Sequence, residues 1–113
     1  MRDDRERLRD ILEAIERIEK HTSAGRSVLD KEELVQTWVV YHLMILGEAC
    51  RALSLSPAFR AKHPEDVWAQ ASGLRNIIVH HYFGIDLEIV WGVVERDLPA
   101  FRKLIQEILL SEP

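Results

Sequence analysis

The sequence predicts an all-α fold, an antiparallel up-and-down bundle of four to five helices, from two observations. Apolar residues recur at spacings of three and four along most of the chain, which is the period of an amphipathic helix. No stretch shows the alternation of apolar and polar residues that marks a strand. The 113 residues are 47% hydrophobic and 30% charged, so we assign residues 1–113 to a single helical domain.

The first helix is predicted between Arg5 and Lys20. It should end near Gly25, where small and turn-forming residues replace the periodic pattern. Its apolar residues fall on one face of a helix, which predicts that this face is buried: Leu8, Ile11, Leu12, Ile15 and Ile18.

A second helix is predicted to begin at Asp30, whose carboxylate can cap it, with Glu33 completing a pattern like a capping box. Residues 38–46 are apolar on nearly every side of this helix, so a monomeric bundle would leave part of it in water. We therefore expect a second subunit to cover it, with Gly47 and Ala49 allowing another backbone to come close.

Prolines and glycines mark the remaining helices. A proline at the first helical position predicts a short helix over 57–62 and a third long helix from Pro64 to about His81, ended by Gly84. Asp86 is placed to cap a fourth helix, and Pro99 should bend it by removing one backbone hydrogen bond. The buried stripe of this helix is predicted to be Trp91, Val94, Leu98, Phe101, Ile105 and Ile108.

Composition excludes several classes of protein. A net charge of −4 argues against a protein that coats nucleic acid, because affinity for phosphates comes mainly from Lys and Arg. The single cysteine, Cys50, cannot form an internal disulfide, and the polar start does not resemble a signal peptide. The apolar stretch 34–50 is interrupted by polar residues and is too short to cross a bilayer. We expect a cytoplasmic protein without a membrane segment.

Other candidate residues are better explained by packing. The histidines form no i,i+4 pair and no H-E-x-x-H arrangement, so we expect no metal and no cofactor. Trp38, Trp68 and Trp91 each follow an apolar helical pattern, and Cys50 has no catalytic neighbour, so all four are predicted to pack in the core. Glu48 leaves two interpretations open: it orients a His or Arg from an adjacent helix, or it lies where its helix reaches solvent.

The chemistry of the chain is predicted to lie in the segment from Arg75 to Tyr82. On one continuous helix His81 falls on the apolar arc, whereas His80 and Asn76 share the small or polar face. Arg75 and His80 differ by about 140° around an ideal helix. They converge only if the Arg side chain wraps round, if the helix loosens, or if a two-fold dimer brings two copies together.

An imidazole beside a guanidinium suits cleavage of a ribose phosphodiester by its own 2′-hydroxyl. Neutral His80 would accept the proton of the 2′-hydroxyl, and Arg75 would bind the phosphate and stabilise the negative charge of the transition state. This chemistry requires no metal. It predicts a 2′,3′-cyclic phosphate product and no cleavage of DNA.

The pattern Arg75, His80 and Tyr82 resembles the R-x4-H-x-Y signature of the HEPN superfamily, and the whole chain is similar to its HepT-like branch. The similarity extends over several further stretches of the sequence: 45–49, 67–68, 82–87, 90–91 and 97–99. It implies a small helical bundle that dimerises and cuts RNA without metal, as the toxin of a toxin-antitoxin pair. Arg75 and His80 would then act together in a cleft between subunits, with Asn76 in a supporting role.

The resemblance also implies a protein partner. HepT-like toxins are typically encoded beside a minimal nucleotidyltransferase antitoxin, which in such pairs adds AMP to the motif tyrosine, here Tyr82. An AMP group near Arg75 would occupy the position that an RNA phosphate needs. The alternative hypothesis keeps the fold without catalysis: a helical module whose surface from Arg75 to Tyr82 binds a nucleotide or the partner enzyme.

Overall fold

The structure is a computed structural model that describes residues 2–74 and 85–111, and all of the regular secondary structure in these ranges is helical. This confirms the predicted all-α class. The elements are α1 (Asp4–Thr22), α2 (Arg26–Lys31), α3 (Glu33–Ser54), α4 (Pro57–Lys62), α5 (Val67–Ser72), α6 (Leu87–Gly92), a π-helical turn (Val93–Asp97) and α7 (Leu98–Ser111).

Helix α1 confirms the amphipathic pattern. Asp3 caps it through a capping box with Glu6, and the backbone N–H of Glu6 donates to the Asp3 carboxylate at 2.7 Å. The predicted face is buried except for Leu12, which is half-buried. The helix therefore presents one continuous apolar stripe to α3 and α7.

The start predicted for the second helix is wrong. Asp30 belongs to a separate short helix, α2, where it pairs with Arg26 at 3.3 Å, and α3 begins at Glu33 without a side-chain cap. Tertiary contacts hold α2 in place: Leu29 is fully buried, and the side chain of Gln36 donates to the Leu29 carbonyl at 2.9 Å. Such anchoring outweighs weak local signals in a helix of this length.

Gly47 in α3 corrects a second expectation. A Cβ atom added to Gly47 would lie 3.3 Å from the carbonyl oxygen of Ala71 in α5. The glycine thus allows close packing against a helix of the same chain, and Ala49 is buried as well. The residues predicted to receive a second subunit are used within the monomer.

The predicted helix from Pro64 to His81 is also wrong at its beginning and near its middle. Pro64 precedes α5 in a loop, where the guanidinium of Arg60 donates to the carbonyl oxygen of Glu65 at 2.6 Å. Helix α5 starts at Val67 and ends in a turn at Gly73, whose N–H donates to the Gln70 carbonyl at 3.1 Å. The rest of that prediction, including Gly84, lies outside the described residues.

The last helical stretch follows the prediction closely. The Asp86 carboxylate caps α6 by accepting from the N–H of Ile89 at 3.2 Å, and all of the predicted stripe except the half-buried Trp91 is buried. The disturbance expected at Pro99 takes the form of the π turn just before it, where the N–H of Leu98 donates to the Val93 carbonyl. Proline lacks the N–H that an α-helix needs there, and a wider turn accommodates the loss.

No helix within residues 2–74 and 85–111 has both the length and the apolar character needed to cross a membrane.

Candidate active site

The residues predicted to carry the chemistry are Arg75, Asn76, His80 and Tyr82, and all four lie outside the described residues. Their convergence on one phosphate therefore stays a prediction. The structure describes the two flanks of this segment, which end at Leu74 and begin again at Ile85. The turn at Gly73 also means that the single helix predicted from Pro64 to His81 does not run unbroken through this position.

The helix that precedes the motif is firmly packed. Trp68 in α5 is fully buried, with its ring centroid 4.9 Å from that of Phe59 and 5.5 Å from that of Phe101. The same helix contacts Gly47 through the Ala71 carbonyl. Three other elements, α3, α4 and α7, thus fix α5, and the chain reaches Leu74 from a rigid support.

A groove of about 600 Å³ lies between α5 and the helices that follow the motif. Its walls are mainly apolar, and Gln70, Arg96 and Asp97 supply its polar groups. Leu74, the residue immediately before Arg75 in the sequence, is part of the wall. The other lining residues are Leu46, Val67, Ala71, Ile89, Val93, Leu98, Ala100, Phe101 and Leu104.

The side chain of Arg96 lies over a glycine one turn earlier. A Cβ atom added at Gly92 would lie 2.7 Å from Nη2 of Arg96, so the guanidinium rests directly over the Gly92 backbone. Both Arg96 and Asp97 belong to the π turn and are exposed. Sequence reasoning missed these residues; the available signal was a glycine four residues before an arginine, followed by a proline inside a helix.

A second polar feature surrounds His42, which is only 6% exposed. Its ring makes an edge contact with Trp38, the centroids lying 4.5 Å apart, and Trp38 in turn contacts His21 at 4.9 Å. The Trp38 N–H donates to the Arg17 carbonyl at 2.8 Å. Burial, and to a smaller extent the positive Arg17, hold the pKa of His42 below its ordinary value. His42 is therefore a neutral packing residue.

The structure settles several alternatives among the described residues. Glu48 is exposed and reaches solvent beside Tyr41 and Arg7, which favours the second of its two interpretations. Cys50 is fully buried, and burial raises the pKa of its thiol, as expected of a packing residue. Trp68 lies in the core as predicted, whereas Trp38 and Trp91 are half-buried. No group of three or more metal-ligating side chains is found in residues 2–74 and 85–111.

Fold and groove together define a small all-helical protein whose candidate site lies between α5 and the stretch from α6 to α7. A model of the HepT-like ribonucleases matches residues 11–108, a range that includes the whole predicted motif. The chain therefore belongs to the HepT-like ribonuclease family, and its enzyme class is endoribonuclease.

Several individual relatives are similar to the chain. A protein of Thermococcus cleftensis provisionally named ribonuclease HepT is 32% identical over 105 residues, covering 89% of this chain and 91% of that protein. A provisional RNase of Methanocaldococcus jannaschii is 38% identical over 74 residues, covering 66% of each chain.

Another protein of M. jannaschii is provisionally named as both a gamma-glutamylcyclotransferase and an RNase. It is 34% identical over 109 residues, which cover 90% of this chain and 46% of that protein. No solved structure matches the chain.

Proposed function

We propose that this chain is the toxin of a toxin-antitoxin pair and cleaves RNA without a metal ion, through attack of the 2′-hydroxyl on the adjacent phosphate. The observation that carries the proposal is the family match over residues 11–108, which includes Arg75, His80 and Tyr82 at the spacing R-x4-H-x-Y. The proposal places this reaction in the cytoplasm.

His80 is the proposed general base. Its neutral imidazole takes the proton of the 2′-hydroxyl, the 2′-oxygen bonds to phosphorus, and the bond to the 5′-oxygen of the next nucleotide breaks. Arg75 binds the phosphate and stabilises its additional negative charge, and Asn76 orients these groups. The departing 5′-oxygen takes a proton from water, so the products are a 2′,3′-cyclic phosphate and a free 5′-hydroxyl.

The active unit is proposed to be a homodimer. On one ideal helix Arg75 and His80 would project in different directions, and a two-fold axis would bring an arginine and a histidine of different subunits together. Part of α3 is also still available for an interface, since Tyr41 is 59% exposed and Leu34 is 84% exposed. These exposed side chains support the proposal that a second subunit packs against one face of α3.

Regulation is proposed to act through Tyr82. A minimal nucleotidyltransferase antitoxin would transfer AMP from ATP to the tyrosine hydroxyl, releasing pyrophosphate. The phosphate of the adduct would then compete with RNA for Arg75.

An assay of single-stranded RNA in EDTA tests the proposal. The wild-type protein should cleave the RNA, and His80→Ala should lower the rate by about 10²- to 10⁴-fold, since a positioned base contributes about that factor. The exposed His21 supplies a matched control, and His21→Ala should cleave at the wild-type rate. Equal background cleavage by wild type and His80→Ala would leave the alternative, a helical module that binds a nucleotide or a partner.

A further inference from the structure

We propose that the groove between α5 and the π turn binds a guanine base of the RNA substrate, with Asp97 selecting the base and Arg96 holding an adjacent phosphate. The inference rests on the proposed function, because it assigns a specificity subsite to the same reaction.

The shape and walls of the groove suit an unstacked base. Its volume of about 600 Å³ falls within the range of about 300–1,000 Å³ that is usual for small-ligand sites. Val67, Ala71, Val93 and Phe101 provide apolar surface on two sides. Proteins that read single-stranded RNA replace base stacking with such contacts, and they then read the exposed base edge with polar groups.

Asp97 supplies a free acceptor at this position. It is exposed at the end of the π turn, lines the groove, and takes part in no ion pair or side-chain hydrogen bond within residues 2–74 and 85–111. An ionised carboxylate only accepts hydrogen bonds, and it can accept two in parallel. Guanine alone among the four bases offers two adjacent donors, its ring N1–H and its amino group, to such a pair of oxygens. The amide of Gln70 adds one donor group and one acceptor to the same groove.

Arg96 supplies the cation that an RNA backbone requires. Its guanidinium lies over Gly92, where a larger residue would displace it, and it lines the same groove as Asp97. Guanidinium groups bind phosphate through two parallel hydrogen bonds. Arg96 also balances the charge of Asp97, so the groove does not repel a phosphodiester. Leu74, in the opposite wall, directly precedes Arg75 in the sequence, so the proposed catalytic segment begins one residue after this wall.

Calorimetric titration of the full chain with the four nucleoside 5′-monophosphates tests base selection. Guanosine monophosphate should bind about tenfold more tightly than each of the others, since a bidentate contact discriminates by about this factor or more. Asp97→Asn should remove the preference, because an amide presents only one acceptor. Asp66→Asn, which alters another exposed acid outside the groove, should keep it. Equal binding of all four nucleotides, or an unchanged preference in Asp97→Asn, would overturn the proposal.

The role of Arg96 has its own test. Arg96→Ala should weaken the binding of guanosine monophosphate about tenfold and leave the binding of guanosine, which has no phosphate, unchanged. Arg51→Ala, at an exposed arginine of α3, is the control and should change neither affinity. If Arg96→Ala instead changes the oligomeric mass and no nucleotide binds, the groove is a protein interface and the base subsite is wrong.

Cleavage assays separate this inference from the proposed function. If the wild-type protein cuts RNA without any preference for guanosine and binds all four nucleotides equally, the proposed subsite is wrong and the proposed nuclease activity stands. If the protein binds guanosine monophosphate selectively but cuts no RNA, the proposed nuclease activity is wrong and the proposed subsite stands.

Discussion

His42 is one of five histidines in the chain, and it serves in packing. Its side chain packs between Trp38 and Tyr41, with ring centroids 4.5 and 5.1 Å away. Its Nε2 atom has no hydrogen-bond partner in the part of the chain that the structure describes. A buried imidazole in this position stabilises the fold only when it is neutral.

This burial predicts a pH dependence of stability. The pKa of His42 is lowered from 6.5 by burial first and by Arg17 second, while Glu13 opposes the shift and His21 adds to it. Below about pH 6.5 the unfolded chain therefore binds a proton that the native chain refuses. The free energy of unfolding should fall as the pH decreases below this value, by up to about 1.4 kcal/mol per pH unit, and should be level above it.

Urea unfolding at a series of pH values between 5 and 8 measures this slope, with the range set about the ordinary histidine pKa of about 6.5. His42→Gln should flatten the slope, whatever its effect on overall stability, because it removes the titrating group. An equally steep slope in His42→Gln would assign the pH dependence to other residues.

At the level of single residues, the candidate site was only partly predictable from the sequence. The spacing of Arg75, His80 and Tyr82 is visible in the sequence and is specific enough to indicate the family. The sequence does not mark Arg96 and Asp97 as site residues, because an exposed Arg-Asp pair in a helix usually belongs to a solvated face. Their position in the groove results from the π turn, which depends on Pro99 and on the packing around it.

Among the elements, α5 contributes most to the position of the candidate site. It is short, but the contact of its Ala71 carbonyl with Gly47 and the burial of Trp68 fix it against the long helix α3 and against α7. Its direction sets where the chain enters residues 75–84 and where one wall of the groove lies.

Gly47→Val should therefore destabilise the protein by about 1–3 kcal/mol, because a branched side chain must displace the backbone of α5. Chemical unfolding of the purified variant measures the change. Gly73→Ala is the matched control: a Cβ atom there would lie 3.5 Å from the Gln70 carbonyl, an ordinary contact, so a change within about 0.5 kcal/mol is expected. A Gly47→Val protein as stable as the wild type would show that α3 and α5 are less closely packed than described.

The sequence predicted the elements according to their length and regularity. Helix α1 and the stretch from α6 to α7 have long apolar stripes, and they were predicted with their buried faces nearly correct. The boundaries at Asp30 and Pro64 were wrong because capping patterns are weak local signals. Tertiary contacts of Leu29 and Arg60 decide the structure there. The turn at Gly73 was missed because glycine is tolerated inside a helix as well as at its end.

At the scale of the whole molecule, a net charge of −4 limits how RNA can be bound. An acidic surface cannot hold a long stretch of phosphates, so recognition should rest on a few groups at one site. This agrees with a nuclease that relies on Arg75, Arg96 and a base pocket.

The most direct measurement uses a DNA oligonucleotide that contains a single guanosine ribonucleotide, incubated with the protein in EDTA. We expect one cut, immediately after the ribonucleotide, because only that residue has a 2′-hydroxyl. Mass spectrometry should find a 2′,3′-cyclic phosphate on the upstream fragment and a 5′-hydroxyl on the downstream fragment, and neither product with His80→Ala. Fragments ending in a 3′-hydroxyl and a 5′-phosphate, or cuts at deoxynucleotides, would contradict this expectation.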